Sequence, residues 1–598
     1  MAKLLTGNEA IARGVWEAGV SFTSAYPGTP STEIVENIAT YKGDIVAEWA
    51  PNEKVALESA IGASIVGARS FSAMKMVGLN VAADPLFSFV YSGVNGGMVL
   101  VSADDPSLHS SQNEQDNRYY APFAKLPMLE PADSQESLDM AKEAYEISEQ
   151  FDTPVMIRMT TRVCHSKTLV DTGTRQEEAL REYKKLPKFD LIPANSRKLR
   201  INLDKRLEKL AEYSEGSRFN FIQWNSKEIG IITSGVGYQY ALEVFGQNAS
   251  YLKLGMTFPL PKNKIREFAA EVKTLYIIEE LEPYLEDQIR QMGIACIGKE
   301  KLPNMFELNP DIIRRAFLES EAELIDVTNI SDFVVPRPPV LCAGCPHRGF
   351  FVELGKIAKR KKAIISGDIG CYGLGGSDPL DAKDTCICMG AAPGIAHGAQ
   401  KVMEKFGEST RLVSTIGDST FFHSGMNGLT NILYNNSNAI TCILDNRITG
   451  MTGQQQNPAS GMSLQGDVSS ELSIEEVCRS LGAKHIRTVN PNDLKETSKA
   501  LKWAFDLDEP SVIITRWPCL LKQLSDDEVN TYTRNGKVCE VDEDVCDGCG
   551  VCLKIGCPAM ALNRDLDIVE INPASCVACE VCAQVCPESA IKTLESRK

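Results

Sequence analysis

Residues 546–587 hold eight of the chain's 19 cysteines, as two copies of one motif that begin 30 residues apart. The first copy is Cys546, Cys549, Cys552 and Cys557 followed by Pro558; the second is Cys576, Cys579, Cys582 and Cys586 followed by Pro587. Two residues between successive cysteines let one tight loop offer three thiolates to a cubane, and the fourth, ahead of proline, reaches the cluster of the other copy. The spacing therefore assigns Cys546, Cys549, Cys552 and Cys586 to one [4Fe-4S] cluster, and Cys576, Cys579, Cys582 and Cys557 to a second. The first copy has four residues, not three, before Cys557, an insertion that a loop bulge can absorb. A pair of zinc knuckles is the competing reading, but it gives the tandem Cys-Pro endings no role. Such clusters carry single electrons; they do not say what reaction supplies them.

A second constellation is Gly417-Asp418-Ser419, at the end of an apolar strand, with Asn446 28 residues after Asp418 at the end of the next strand. A small residue lets the backbone approach a diphosphate, and Asp and Asn oxygens suit an octahedral magnesium ion bridging two phosphates. The pattern resembles the thiamine-diphosphate motif. That resemblance makes Asp418 and Asn446 magnesium ligands, with the main-chain carbonyl of Ile448 as the third. The run Thr449-Gly450-Met451-Thr452-Gly453-Gln454 resembles the segment that closes this site in 2-oxoacid:ferredoxin oxidoreductases.

The likeness extends along nearly the whole chain. It is carried by Tyr26-Pro-Gly-Thr-Pro-Ser-Thr-Glu33, Asn52-Glu-Lys-Val-Ala-Leu-Glu58, Met74-Lys-Met-Val-Gly-Leu-Asn80, Cys342-Ala-Gly-Cys-Pro-His-Arg348, Gly367-Asp-Ile-Gly-Cys371 and Asp384-Thr-Cys-Ile-Cys-Met-Gly390. These stretches resemble the large subunits of indolepyruvate:ferredoxin oxidoreductases, in the pyruvate:ferredoxin oxidoreductase superfamily. The family uses an acid that hydrogen-bonds N1′ of the aminopyrimidine and favours the tautomer that removes the thiazolium C2 proton. The resemblance gives that role to Glu53, nine residues before Gly62 in a small-residue helix, with Glu58 as the alternative. Thr29 matches the family threonine that contacts the substrate carboxylate, although Gly28 stands where the family has isoleucine; the other reading of Thr29, Ser31 and Thr32 is helix capping.

By the same resemblance Gly417, Ser419, Thr449, Gly450, Met451, Gly390 and His347 line the coenzyme. Cys342, Cys345, Cys371 and Cys519 match the ligands of a third cluster, nearest thiamine. Cys386 and Cys388 are possible substitutes, better read as core thiols. His397 and His109 are weaker pocket candidates, and Cys164, Cys296, Cys442, Cys478 and Cys539 read as small buried or incidental residues.

The elements that must position these residues are legible as well. The 598 residues, 43% hydrophobic and 24% charged, suggest about four domains at roughly 150 residues each. Helix-like patterning covers Asn8–Gly19 and Glu53–Ala68, followed by buried-strand runs at 97–102 and 154–158; residues 170–225 read as a polar linker with a surface helix. Strand runs at 228–234 and 275–279, then at 363–366, 411–416, 439–444 and 511–515, alternate with helices, the signature of parallel sheets. Pro336-Arg-Pro-Pro339 punctuates a boundary. The expected fold is multidomain α/β, with open parallel sheets flanked by helices that bind thiamine diphosphate and a C-terminal ferredoxin-like α+β module. The expected limits are 1–190 for pyrimidine binding, 191–335 for a transketolase-C-terminal-like domain with linker, 336–530 for the diphosphate and magnesium, and 531–598 for two clusters.

A net charge of −17 argues against nucleic acid or an anionic membrane as partner. The sequence has no long apolar span and no signal-peptide pattern, so the expected compartment is the cytoplasm. The resemblance implies oxidative decarboxylation of a 2-oxo acid, favouring indolepyruvate or another aryl pyruvate, with coenzyme A as acyl acceptor and ferredoxin as electron acceptor. It also implies a smaller beta subunit, two large and two small subunits together. A non-oxidative thiamine decarboxylase or lyase with structural clusters, and a non-catalytic electron-relay subunit, are the competing functions.

Overall fold

The computed structural model describes residues 2–177, 180–320, 330, 333–335, 338–532 and 537–595. Pro336 and Arg337 of the proline-rich boundary lie outside the described residues. The chain divides into two compact units, Met1–Asn329 and Ile330–Lys598.

The first unit is built on a seven-stranded sheet in the order Met256–Phe258, Met128–Leu129, Val155–Thr160, Met98–Asp104, Ser70–Lys75, Phe22–Ala25, Val46–Trp49. All pairings are parallel except that of Met256–Phe258. The three middle strands are buried along their whole length, which is why they read as apolar runs without alternation. Helices Gly7–Glu17, Glu53–Ile65 and Ser134–Phe151 account for the helical patterning. The expected surface helix is Pro193–Gly216, 24 residues long. A second sheet runs Thr274–Ile278, Ile229–Ser234, Ser250–Leu254 in parallel, with Asn220–Gln223 antiparallel at its edge.

A buried ionic network joins these sheets. Arg118, fully enclosed, pairs with Asp116 at 2.5 Å and Glu279 at 2.6 Å; Arg158 pairs with Asp104 at 2.8 Å and Glu130 at 3.0 Å. Burial outweighs Arg158 at Asp104 and pushes that carboxyl up to about 6. Removing one member leaves uncompensated buried charge, so Arg118→Ala is expected to destabilise this unit by about 3–5 kcal/mol. A melting temperature equal to that of the parent chain would refute the estimate.

The second unit is centred on a six-stranded, wholly parallel sheet: Thr385–Cys386, Ile364–Gly367, Leu412–Gly417, Ile440–Asp445, Ser511–Arg516, His485–Val489. The cysteine-rich tail folds as two antiparallel pairs, Lys537–Val541 with Ile591–Glu595 and Met560–Asn563 with Ile568–Ile571. Each cysteine copy leads into one short helical segment, Val551–Ile555 or Val581–Val585. Among the described residues, no helix is long and apolar enough to cross a membrane.

Candidate functional site

Open parallel sheets present ligands at the carboxyl ends of their strands, and in both units the motif residues lie there. In the first unit, Phe22–Ala25 runs into Tyr26-Pro-Gly-Thr29, Val46–Trp49 into Asn52-Glu53, Ser70–Lys75 into Met76-Val-Gly78, and Met98–Asp104 into the Asp105 loop.

Glu53 is the first residue of its helix, whose cap Asn52 accepts a hydrogen bond from the Val55 N–H at 2.9 Å. Its side chain is buried, only 6% exposed, whereas Glu58 is exposed and ion-paired with Lys54. The close neighbour of the Glu53 carboxylate is Gly78: a Cβ there would lie 2.7 Å from Glu53 Cγ and Oε1, while nothing lies within 4 Å of a Cβ at Gly62. The glycine that matters sterically is thus on the neighbouring strand–helix loop.

Around Thr29, the helix starts at Thr32. Its entry turn is closed by the Gly28 N–H donating to Thr32 Oγ1 at 2.9 Å and Ser31 Oγ donating to the Gly28 carbonyl at 2.8 Å. Thr29 is left half-buried in the loop. His109 is largely exposed and pairs with Glu307 at 3.0 Å.

In the second unit the strand register does the assembling. Gly417 pairs with Leu444 and Asp445 with Arg516, which sets Asp418 beside Asp445. Asp418, Asn446 and Ile448 are all buried. Burial, and the neighbouring Asp445 carboxylate, hold the Asp418 carboxyl well above the ordinary range. Asn457 Nδ2 donates to Asp418 Oδ2 at 3.0 Å, and Thr449 Oγ1 donates to Ser419 Oγ at 3.0 Å. Asp445 is already ion-paired with Arg516 at 2.7 Å, so the Asp418 carboxyl beside the Asn446 amide is the donor set that a hard divalent cation would suit. The residues present therefore fit magnesium.

Gly417 is small for a nearby reason: a Cβ would stand 2.5 Å from the Tyr372 ring. Gly390 sits at φ +83°, its N–H donating to Asp368 Oδ1 at 2.7 Å. Met451 is exposed. His347 is buried, stacked edge-on to Tyr372 at 5.9 Å, and burial drives its imidazole down to about 4. It is therefore a neutral side chain at ordinary pH. His397 is partly buried, and its Nδ1 has no hydrogen-bond partner among the described residues.

Cys342, Cys345, Cys371 and Cys519, scattered over the sequence, come together. Cys345 feels the charge of Cys371 and Cys342, Cys371 that of Cys519 and Cys342, and Cys519 that of Cys342 and Asp418. Burial pushes the Cys345 thiol up to about 12 and that of Cys371 up to about 11, so both are protonated thiols at ordinary pH. The set lies against the Asp418 motif: the Cys519 N–H donates to the Asn446 carbonyl at 2.9 Å, and a Cβ at Gly450 would stand 3.6 Å from both Cys371 Sγ and Asn446 Nδ2.

The tail cysteines line two cavities. One is walled by Cys546, Cys549, Cys552 and Cys586, the other by Cys557, Cys576, Cys579 and Cys582. Each copy lends its fourth cysteine to the other's cavity. Self-contained zinc knuckles have no use for that exchange. The insertion in the first copy is taken up by Gly556, left-handed at φ +67°, between the 3₁₀ turn Val551–Ile555 and Cys557. Among the described residues, no group of three or more His, Cys, Asp or Glu side chains closes on a single metal ion. Thiolates around a cubane bind different irons and stand further apart than that.

Three residues escaped the sequence reading. Asp445 gave no signal beyond its place next to Asn446. Asp368 is buried and accepts from the Ile369, Gly390 and Ala392 N–H groups at 2.7–2.9 Å, holding the Gly390 loop. Cys539, read as incidental, lines the second cavity and donates its N–H to Cys576 Sγ at 3.3 Å.

Known proteins carry the same organisation. Residues 13–202 match the family described as pyruvate flavodoxin/ferredoxin oxidoreductase, thiamine diphosphate-binding; residues 368–515 match the thiamine pyrophosphate enzyme C-terminal TPP-binding domain; residues 569–592 match the 4Fe-4S binding domain. Indolepyruvate oxidoreductase subunit IorA of Archaeoglobus fulgidus is 39% identical, over 99% of this chain and 97% of its own. IorA of Pyrococcus horikoshii is 39% identical over 98% and 96%. The 2-oxoglutarate synthase subunit KorA of Archaeoglobus fulgidus is 25% identical over 50% of this chain and 96% of its own. A solved chain of 2-oxoglutarate:ferredoxin oxidoreductase from Magnetococcus marinus overlays 53% of this chain and 65% of its own, with a TM-score of 0.46 and 17% identity. At 39% identity over nearly its whole length to IorA proteins, with two thiamine diphosphate domain matches and a 4Fe-4S domain match of its own, the chain belongs to the IorA family of the thiamine-diphosphate-dependent 2-oxoacid:ferredoxin oxidoreductases.

Proposed function

We propose that this chain is the large subunit of an enzyme that oxidatively decarboxylates an aryl 2-oxo acid, favouring indolepyruvate, gives the acyl group to coenzyme A and passes two electrons singly to ferredoxin. A smaller beta subunit completes the enzyme, two large with two small, in the cytoplasm. The four functional domains are 1–190, 191–335, 336–530 and 531–598. When bound, thiamine diphosphate supplies the electron sink that takes up the electrons left by departing carbon dioxide.

The chain's own residues have distinct tasks. Glu53, screened from water, shares a proton with N1′ of the aminopyrimidine. Asp418, Asn446 and the Ile448 carbonyl hold magnesium, while Thr449 and Gly450 keep Ser419 and Asn446 in place. Thr29 orients the substrate carboxylate. Gly417, Met451, Gly390 and His347 complete the coenzyme's walls.

The single observation that carries this reading is the convergence of Cys342, Cys345, Cys371 and Cys519 on Asp418 and Asn446. Four thiols beside this carboxyl and amide suit a redox cluster next to a diphosphate, an arrangement that neither a lyase nor a bare relay needs. Ala343, Gly344 and Arg348, beside Cys342 and Cys345, also wall the cavity of Cys557, Cys576, Cys579 and Cys582. Arg348 donates to the Leu341 and Cys342 carbonyls and, at 2.6 Å, to that of Ile555. Clusters held by these three cysteine sets would supply one-electron relays, the Cys557 set lying beside the Cys342–Cys345 turn and the Cys546 set carrying the exposed Cys549.

Three cubanes mean about 12 irons per chain. Cys519→Ala is expected to lower the anaerobic iron count to about eight and to stop ferredoxin reduction; an unchanged count rejects Cys519 as a ligand. The test of the function is a panel of 2-oxo acids with the co-purified small subunit, scored by ferredoxin reduction. Aldehyde without ferredoxin reduction points to a lyase, and no thiamine diphosphate retained with magnesium points to a relay.

A further inference from the structure

The first unit buries a lysine at the carboxyl end of one of its sheet strands. Lys75 is the last residue of the inner strand Ser70–Lys75 and is 9% exposed. Its ammonium has three N–H donors, and one is used, to the Ser110 carbonyl at 2.6 Å. No ion pair within 4.0 Å involves it among the described residues. Asp105 is the carboxylate that acts on it from a distance, and Asp105 already accepts from the Ser110 N–H, Ser111 Oγ and Thr161 Oγ1 at 2.5–2.8 Å. Burial brings the Lys75 ammonium down to about 8, Asp105 partly opposing. A buried cation with spare donors is costly to keep unless something anionic meets it.

Its neighbours belong to the candidate site. A Cβ at Gly28 would stand 3.0 Å from Lys75 Cβ, so the Gly28-Thr29 loop rests on the lysine stem; isoleucine could not stand there without displacing it. Three residues beyond Lys75, Gly78 lies against the Glu53 carboxylate. The lysine is thus bracketed by the residue assigned to the substrate carboxylate and by the one assigned to the aminopyrimidine.

We propose that Lys75 is the substrate-anchoring cation of this enzyme: its ammonium, on a stem packed against Gly28 and held by the Ser110 carbonyl, takes the 1-carboxylate of the 2-oxo acid. The glycine at position 28 is the space this lysine requires. The inference rests on the functional reading above. A carboxylate in so enclosed a place gains a charge-assisted hydrogen bond that a neutral analogue lacks.

The test uses the complete holoenzyme with its small subunit. Indole-3-propionate and indole-3-propionamide, unreactive and differing only in charge, are titrated calorimetrically into parent, Lys75→Gln and Lys75→Arg proteins. The parent should bind the carboxylate roughly 10- to 100-fold more tightly than the amide. Lys75→Gln, which can still donate to Ser110, should lose that preference and raise KM for the 2-oxo acid by a similar factor, with iron and thiamine contents unchanged; Lys75→Arg should keep most of it. On the parent enzyme, indole-3-propionate should shield Lys75 from carbamoylation by cyanate, read by mass spectrometry, so the idea is tested even if a variant misfolds. Full carboxylate preference in Lys75→Gln, or no shielding, overturns the role of Lys75 while the parent still reduces ferredoxin. A parent enzyme that reduces no ferredoxin with any 2-oxo acid overturns the functional reading, and Lys75's role with it.

Discussion

Glu53→Gln should cut turnover by roughly 10²- to 10⁴-fold, the usual contribution of a positioned acid–base group, while leaving iron and bound thiamine diphosphate unchanged. The substitution preserves shape, which matters because the side chain packs on Gly78 with no room to spare. What it removes is a proton that can be exchanged with the aminopyrimidine. Because Glu53 is buried and Glu58 is exposed and engaged with Lys54, Glu58→Gln serves as the control and should stay within about twofold of the parent, as surface substitutions do. Activity retained in Glu53→Gln but lost in Glu58→Gln would reverse the assignment.

The second large effect is expected at Asp418. Asp418→Ala removes a metal ligand from a buried donor set and should weaken magnesium-dependent thiamine diphosphate binding by more than about 100-fold, since even partners one shell further out are worth about 10–100-fold. Protein prepared without added coenzyme should then contain none, and ferredoxin reduction should fall with it. The tail clusters, fixed by cysteines on other loops, should keep their iron. The variant also removes a carboxyl whose charged form burial and, secondarily, Asp445 disfavour, so thermal stability without metal should hold or rise. Tight coenzyme retention in Asp418→Ala would remove the magnesium assignment.

The strands and helices that carry the motifs were legible because burial on both faces writes apolar runs and amphipathic packing writes helical periods. The strands Leu412–Gly417 and Ile440–Asp445 and the helix Glu53–Ile65 lie within a few residues of their expected limits. Local ligand sets were legible for a related reason: cysteines three apart share one loop, so their spacing states their geometry. The exchange of Cys557 and Cys586 between the tail cavities follows the same rule. Relations set by which strands are neighbours were not legible. The pairing of Gly417 with Leu444 makes Asp418 and Asp445 a pair, that of Asp445 with Arg516 brings Cys519 under Asn446, and the pairing of Lys537–Val541 with Ile591–Glu595 belongs to the tail module in which Cys539 meets Cys576.

By itself, then, the sequence determined the groups on offer: two copies of a four-cysteine pattern, a Gly-Asp-Ser with an Asn 28 residues after its Asp, and a glutamate in a small-residue setting. Only the tertiary structure decided which glycine makes room for Glu53, that Cys519 lies against Asn446 and Cys371 against Gly450, and that Lys75 is buried against Gly28. The physical reason is that spacing along the chain fixes contacts within one loop, whereas contacts between loops depend on sheet order and register, which no short stretch of residues encodes.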